Sequence, residues 1–248
     1  MSQTFQTRVA RIFHPDRKKG IIVLVVALFL FGLWYLSPIQ SIQALASLTD
    51  PDKLATLGER GANARMNKII FYLYEARAKG VSPEKAIGWA QSVNGTKEPR
   101  AALVKESLLS NLKIADELLL FTPANRERLR RGNAPKIARG PYNGETIEID
   151  HIVPLSLAPE AGNELANLEM VPQSVNRKKS DHVTTRQLMH AQKLFDAGLL
   201  KNESWQRVRA ETQKSPHQNE AIRPFLLQEV KPVNVEALVV AHIGSGKY

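Results

Sequence analysis

Apolar positions recur every three to four residues over 52–131, and then the spacing changes to alternation near Ile147. The first pattern is that of amphipathic helices and the second that of a half-buried strand. Met66, Ile69, Ile70 and Leu73 mark one helix. Ser82-Pro83-Glu84 opens another, with a capping hydroxyl, Pro at the first position and an acid in the first turn. A longer segment over 98–120 carries the stripe Val104, Leu108, Leu112, Ala115 and Leu119. Thr122-Pro123 starts a short helix that Gly132 ends. Ile147, Glu148, Ile149 and Asp150 alternate, predicting a short strand that delivers Asp150 and His151 to its end. Asn143-Gly144 just before it reads as a hairpin turn, pairing 136–138 with 146–149. A loop rich in Pro, Gly, Glu and Ala follows the strand. Then come Asn167, a second apolar run (Leu168, Met170, Val171) and Asn176 leading into Arg177-Lys178-Lys179. The next helix is expected from about Ser180 or Asp181, with Thr185, Leu188, Met189 and Leu194 at helical spacing, and Trp205 and Val208 mark another. Pro216, Pro224 and Pro232 break up the remainder, although 235–243 is apolar.

The N-terminal end has a different character. The run at 21–36, IIVLVVALFLFGLWYL, has no charge. Its length falls between a cleaved signal core of ~7–15 residues and a span of ~17–25. Trp34 and Tyr35 at its far end are placed like an interfacial aromatic belt. Ala44-Leu45-Ala46 has the small-x-small form of a cleavage site, but it lies well beyond the run, with Pro38 between. The reading adopted is an uncleaved anchor, with a cleaved, secreted form as the alternative. Basic residues crowd 1–19, so the positive-inside rule keeps that end in the cytoplasm of a bacterial inner membrane and puts the rest in the periplasm or outside.

The expected organisation is α+β and mostly helical. It comprises a basic N-terminus (1–19), a transmembrane signal-anchor (20–37), a tether (38–51), a helical domain (52–131), a strand–loop–strand–helix unit (132–200) and a C-terminal segment (201–248). The helical domain and the C-terminal segment are candidates for binding a protein partner. The helical domain reads equally well as a spacer packed on the unit that follows.

Charge and chemistry sharpen this picture. Lys and Arg number 34 against 24 Asp and Glu, a net charge of +10, which favours a polyanionic partner. Cysteine is absent, excluding disulfides, Cys-ligated zinc and a thiol nucleophile. Asp150 and Asn176 offer a carboxylate and an amide carbonyl, hard oxygen donors suited to Mg²⁺ or Mn²⁺. A neutral His151 near such a metal could take a proton from water. Lys179, about one helical turn past Asn176, could reach a phosphate oxygen. Base, metal and cation together are what phosphodiester hydrolysis requires. Arg130, Arg131, Lys136 and Arg139 precede the strand, and Arg177 and Lys178 follow Asn176; all six are expected to contact nucleic acid backbone.

The stretch at 147–181 resembles the HNH (ββα-metal) endonuclease motif. Asp150-His151-Ile152-Val153-Pro154 is similar to the family's opening DHIxP, Asn167 in NLEMVP matches the middle Asn, and Asn176 in NRKKSD stands where the name has a second His. This variant is similar to the HNH domain of the CRISPR RNA-guided effector nucleases. The resemblance implies His151 as general base, Asp150 and Asn176 as metal ligands, Asn167 as a brace for the loop that orients the His151 backbone or ring, and Lys179 as a phosphate contact. It covers about 35 residues of the chain. The function expected is a membrane-anchored, Mg²⁺- or Mn²⁺-dependent endonuclease cutting DNA outside the cytoplasmic membrane, such as phage, plasmid or environmental DNA. The alternative from another class is a catalytically idle, membrane-anchored DNA-binding or assembly protein.

Overall fold

Ten helices and two strands follow one another among the described residues of a computed structural model. Those residues are 17–179 and 183–214, without the side chains of 17, 18, 31, 33–36, 178 and 179. The basic stretch at 1–16, the side chains of the Trp34 and Tyr35 belt, the helix start at Ser180 or Asp181 and the apolar run at 235–243 are therefore not described.

Helix α1 spans Arg17–Leu36. Among the described residues nothing packs on its apolar side chains: Ile21, Val23, Leu24 and Phe29 are 59–68% exposed. Among the described residues no helix is long and apolar enough to cross a membrane. The segment expected to be a tether is instead helix α2, Ile39–Thr49, which buries Ser41, Leu45, Ala46 and Thr49. Its apolar stripe is narrow and built of small residues, so the pattern alone is weak. The complementary face comes from two later helices, α4 (Gly61–Ala78) and α5 (Pro83–Asn94). The Asn94 amide donates to the Ala46 carbonyl and the Thr49 hydroxyl at 3.3 and 3.1 Å, tying α5 to the end of α2. Between α2 and α4 a short helix, α3 (Pro51–Ala55), is capped by the Asp50 carboxylate.

The helical region follows its sequence signals closely. Met66, Ile69, Ile70 and Leu73 of α4 are fully buried. Ser82 caps α5 by accepting from the Lys85 N–H, and Thr122 caps α7 (Pro123–Arg131) by accepting from the Asn125 N–H. Gly132 ends α7 with φ 84, a left-handed position that suits glycine. Helix α6, Arg100–Glu117, buries Val104, Leu108, Leu112 and Ala115 as expected. Leu119 departs from the stripe. The helix stops before it, it takes a left-handed φ of 50, and it is 42% exposed while Leu118 and Leu120 are buried.

Strands β1 (Ile147–His151) and β2 (Leu168–Pro172) pair antiparallel, with Ile147 opposite Pro172, Asp150 opposite Glu169 and His151 opposite Leu168. The hairpin before β1 is narrower than expected. Lys136 bridges Thr146, the Ile137 N–H donates to the Glu145 carbonyl and the Ile147 N–H to the Pro135 carbonyl, so the pairing is one bridge rather than a ladder reaching Ile149. The other edge of β2 is closed by side chains of α6. Asn111 donates to the Leu168 carbonyl at 2.9 Å and accepts from the Met170 N–H at 2.6 Å, and Ser107 donates to the Leu165 and Leu168 carbonyls. A buried strand edge needs such partners.

Helix α8 (Gln173–Lys179) follows β2 directly, so Asn176 and Arg177 sit on a helix rather than in the loop before one. Glu145 sets that early start by accepting from both the backbone N–H and the hydroxyl of Ser174 at 3.0 Å. Helix α9 (Thr185–Asp196) starts afresh with a capping box between Thr184 and Gln187, and α10 is Asn202–Lys214. One cluster of buried apolar side chains runs from Leu45 through both strands to Val208.

Candidate active site

Asp150, His151 and Asn176 line one cleft of about 530 Å³, together with Arg60, Glu59, Arg177 and the loop residues Pro154, Leu155, Ser156 and Pro159. Neighbours on a strand normally face opposite ways. Asp150 and His151 reach the same cleft because β1 ends at His151.

His151 is 5% exposed, and its Nε2 lies 2.9 Å from the Gly162 carbonyl oxygen. A carbonyl only accepts, so Nε2 carries the proton and Nδ1 is the basic nitrogen of the neutral ring.

The loop after His151 is held by Asn167, which is fully buried. Its Oδ1 accepts from the Val153 N–H at 2.8 Å, and its Nδ2 donates to the Val153 and Ala161 carbonyls at 3.1 and 3.3 Å. The Asn167 carbonyl accepts from the Ile152 N–H at 2.8 Å. Asn167 is thus a positioning residue: it fixes the backbone on both sides of the loop and, being fully buried, is closed off from the cleft. The carbonyl beside it, on Ala166, lies 2.9 Å from His190 Nε2, and burial pushes the His190 pKa down.

Asn176 presents its amide to the cleft in a fixed sense. Its Nδ2 donates to Glu148 Oε2 at 2.7 Å, while Gln173 Nε2 donates to Glu148 Oε1 at 2.8 Å. The amide NH₂ being held there, the carbonyl oxygen is the group left to ligate. Asp150 and Asn176 are both hard oxygen donors on one cleft, a set that fits a cation keeping several positions for water and phosphate. Among the described residues no group of three or more His, Asp or Glu is arranged to hold a metal. A site built on one carboxylate and one amide has a different composition.

The cations divide into two groups. Arg177 and Arg60 line the cleft, and among the described residues neither has an ion-pair partner. Arg130, Arg131, Lys136 and Arg139 are exposed and do not line it. Arg130 and Arg131 both grip Glu127, at 2.8 and 2.6 Å, and their hydrogen bonds pull its carboxyl down to about 2. The side chains of Lys178 and Lys179 lie outside the described residues.

Glu148, which holds the Asn176 amide, and Arg60, which lines the cleft, escaped the sequence reading. Glu148 had a signal: two positions before Asp150 on a strand, it shares that residue's face. Arg60 had none, being 90 positions before Asp150 in the chain. It takes a left-handed φ of 59, and Asn163 holds the segment around it. Asn163 Oδ1 accepts from the Ala62 N–H at 3.1 Å and its Nδ2 donates to the Leu57 and Gly58 carbonyls, both at 3.1 Å. A strained non-glycine residue on a cleft is a pointer to function.

In comparisons with known proteins, no family model, curated sequence or solved structure matches the chain.

Proposed function

We propose that this chain is a membrane-anchored, divalent-metal-dependent HNH endonuclease that hydrolyses DNA phosphodiester bonds outside the cytoplasmic membrane. The observation that carries the reading is the convergence of Asp150, His151 and Asn176 on one cleft with two cations, Arg60 and Arg177. His151 Nδ1 accepts the proton of an attacking water, and the Nε2–H bond to the Gly162 carbonyl keeps the ring oriented while it is charged. Asp150 and the Asn176 carbonyl would hold Mg²⁺ or Mn²⁺, which when bound supplies positive charge to the phosphoryl group and the leaving oxygen. Arg60 and Arg177 grip phosphates of the strand, giving affinity and register without reading sequence. By the family resemblance the product carries a 5′ phosphate.

The anchor rests on the uncharged apolar run at 21–36 as the sequence gives it, part of whose side chains lie outside the described residues, and on the basic residues preceding it. A nuclease domain beyond the cytoplasmic membrane meets DNA in transit, such as phage, plasmid or environmental DNA, and a reporter fused after Tyr248 tests that side; cytoplasmic activity of the reporter rejects it.

The test of activity uses the full-length chain in detergent, because α2 is part of the core and a fragment starting at Asp50 removes it. Wild type should cut plasmid with Mg²⁺ or Mn²⁺ and stop with EDTA, and His151→Ala and Asp150→Ala should not cut. DNA retention without cleavage under all metal conditions would instead favour a DNA-binding assembly protein.

A further inference from the structure

We propose that Glu148 sets which end of the Asn176 amide faces the cleft, and so makes Asn176 competent as an oxygen ligand. This rests on the nuclease reading above and adds to it a positioning residue that the motif does not contain. The two ends of an Asn amide have nearly the same shape, so packing alone does not choose between them; hydrogen-bond partners do. A carboxylate only accepts. Glu148 Oε2, 2.7 Å from Asn176 Nδ2, therefore draws the NH₂ toward itself and turns the carbonyl away. The opposite orientation sets oxygen against oxygen and loses a charge-assisted bond. The second oxygen of Glu148 accepts from Gln173 Nε2 at 2.8 Å, which fixes the carboxylate's own rotation. Glu148 lies on β1 opposite Val171 and two residues before Asp150, so one strand face carries both a candidate ligand and the group orienting the other.

Docking of α8 does not depend on Glu148 alone. Glu145 independently holds Ser174 at the start of that helix through two hydrogen bonds at 3.0 Å. Removing the Glu148 carboxylate thus releases the Asn176 amide while the helix stays in place.

The arrangement makes an unusual rescue available. In the double variant Glu148→Gln/Gln173→Glu the net charge is unchanged. The new carboxylate at 173 accepts from the new amide NH₂ at 148, whose carbonyl then accepts from Asn176 Nδ2. The direction of the bond to Asn176 is restored without a carboxylate at 148. In Glu148→Gln/Gln173→Lys the ammonium claims the carbonyl at 148, the NH₂ there faces Asn176, and the amide of Asn176 is driven to turn over.

The experiment is a Mn²⁺ titration of the full-length chain in detergent, without DNA, followed by electron paramagnetic resonance, with plasmid cleavage and thermal unfolding measured on the same preparations. Loss of such an orienting partner typically weakens metal binding by about 10–100-fold. That loss is expected for Glu148→Ala and for Glu148→Gln/Gln173→Lys, while Glu148→Gln/Gln173→Glu binds Mn²⁺ close to wild type. Glu148→Ala binding like wild type overturns the proposal. So does a Glu148→Gln/Gln173→Glu variant as weak as Glu148→Ala, since the carboxylate at 148 would then itself be required. In both cases wild type still cuts and Asp150→Ala still loses Mn²⁺, so the nuclease reading survives. Wild type that neither cuts nor binds Mn²⁺ through Asp150 rejects both.

Discussion

Two groups of arginines, equally basic in the sequence, end in opposite electrostatic states. Arg130 and Arg131 close α7 and share one carboxylate, Glu127. Arg60, from the helical region, and Arg177, from α8, both line the cleft and have no carboxylate partner among the described residues. A guanidinium already paired must give up its partner before it can hold a phosphate, whereas an unpaired one gains its first strong acceptor. Counting cations along the chain overlooks this difference. The basic run that looked most like a nucleic-acid surface is partly neutralised, and one of the two cations at the candidate site, Arg60, sits in the turn just before α4, far from the motif in sequence.

The comparison requires that chemistry and phosphate binding belong to the cleft. The largest effect is expected at its base: His151→Ala should lower the cleavage rate by roughly 10²–10⁴-fold, measured on plasmid with Mn²⁺, while leaving Mn²⁺ binding in place. The double variant Arg130→Ala/Arg131→Ala should keep the wild-type rate, and a loss comparable to that of His151→Ala would break the contrast.

Next in size is phosphate grip. Arg60→Ala and Arg177→Ala should each weaken DNA binding and reduce the slope of log affinity against log salt by about 0.9, as expected for one lost phosphate contact on duplex. Arg60→Gly adds a second readout. It removes the cation and also the left-handed strain, so it should raise the unfolding free energy by about 1 kcal/mol or less while binding DNA as poorly as Arg60→Ala. Thermal unfolding and a salt titration separate the two. Asn163→Ala should act through the same arm: it frees the Leu57 and Gly58 carbonyls and the Ala62 N–H, at about 1–3 kcal/mol of stability, and raises KM more than it lowers kcat.

The smallest effect is at Glu127. Its carboxyl sits at about 2, below the ordinary 4.5, because Arg130 and Arg131 hydrogen-bond to it. A depressed carboxyl contributes to pairing above its unfolded pKa and loses that contribution as pH falls through its folded one. The pairing is therefore complete above about pH 4.5 and is lost toward pH 2. At neutral pH Glu127→Gln should release both arginines and steepen the salt dependence of DNA binding slightly. An unchanged slope would mean that α7 lies away from the DNA path altogether.

Local signals carried much of the structure. The caps at Ser82 and Thr122, the stop at Gly132, the buried stripe of α4 and the alternation at Ile147 are all decided within a few residues, because hydrogen bonding at helix ends and the period of side-chain direction are local properties. The order Asp150, His151, Asn167, Asn176 was likewise legible, since each stands at a junction between short elements. The start of α8 was not, because its capping acid, Glu145, lies across the sheet rather than next to it in sequence. The burial of α2 was missed for the same reason: its narrow stripe of small residues becomes an interface only when α4 and α5 supply the other face.

The sequence by itself thus determined the elements, their polarity and the residue types available for chemistry. Only the tertiary structure decided which nitrogen of His151 is basic, which end of Asn176 faces the cleft, and which arginines line it with no ion-pair partner among the described residues. Each of these depends on a partner brought close by folding: Gly162 for His151, Glu148 for Asn176, Asn163 for the segment around Arg60. Hydrogen bonds and ion pairs act over about 3 Å, and separation along a chain does not report distances of that size.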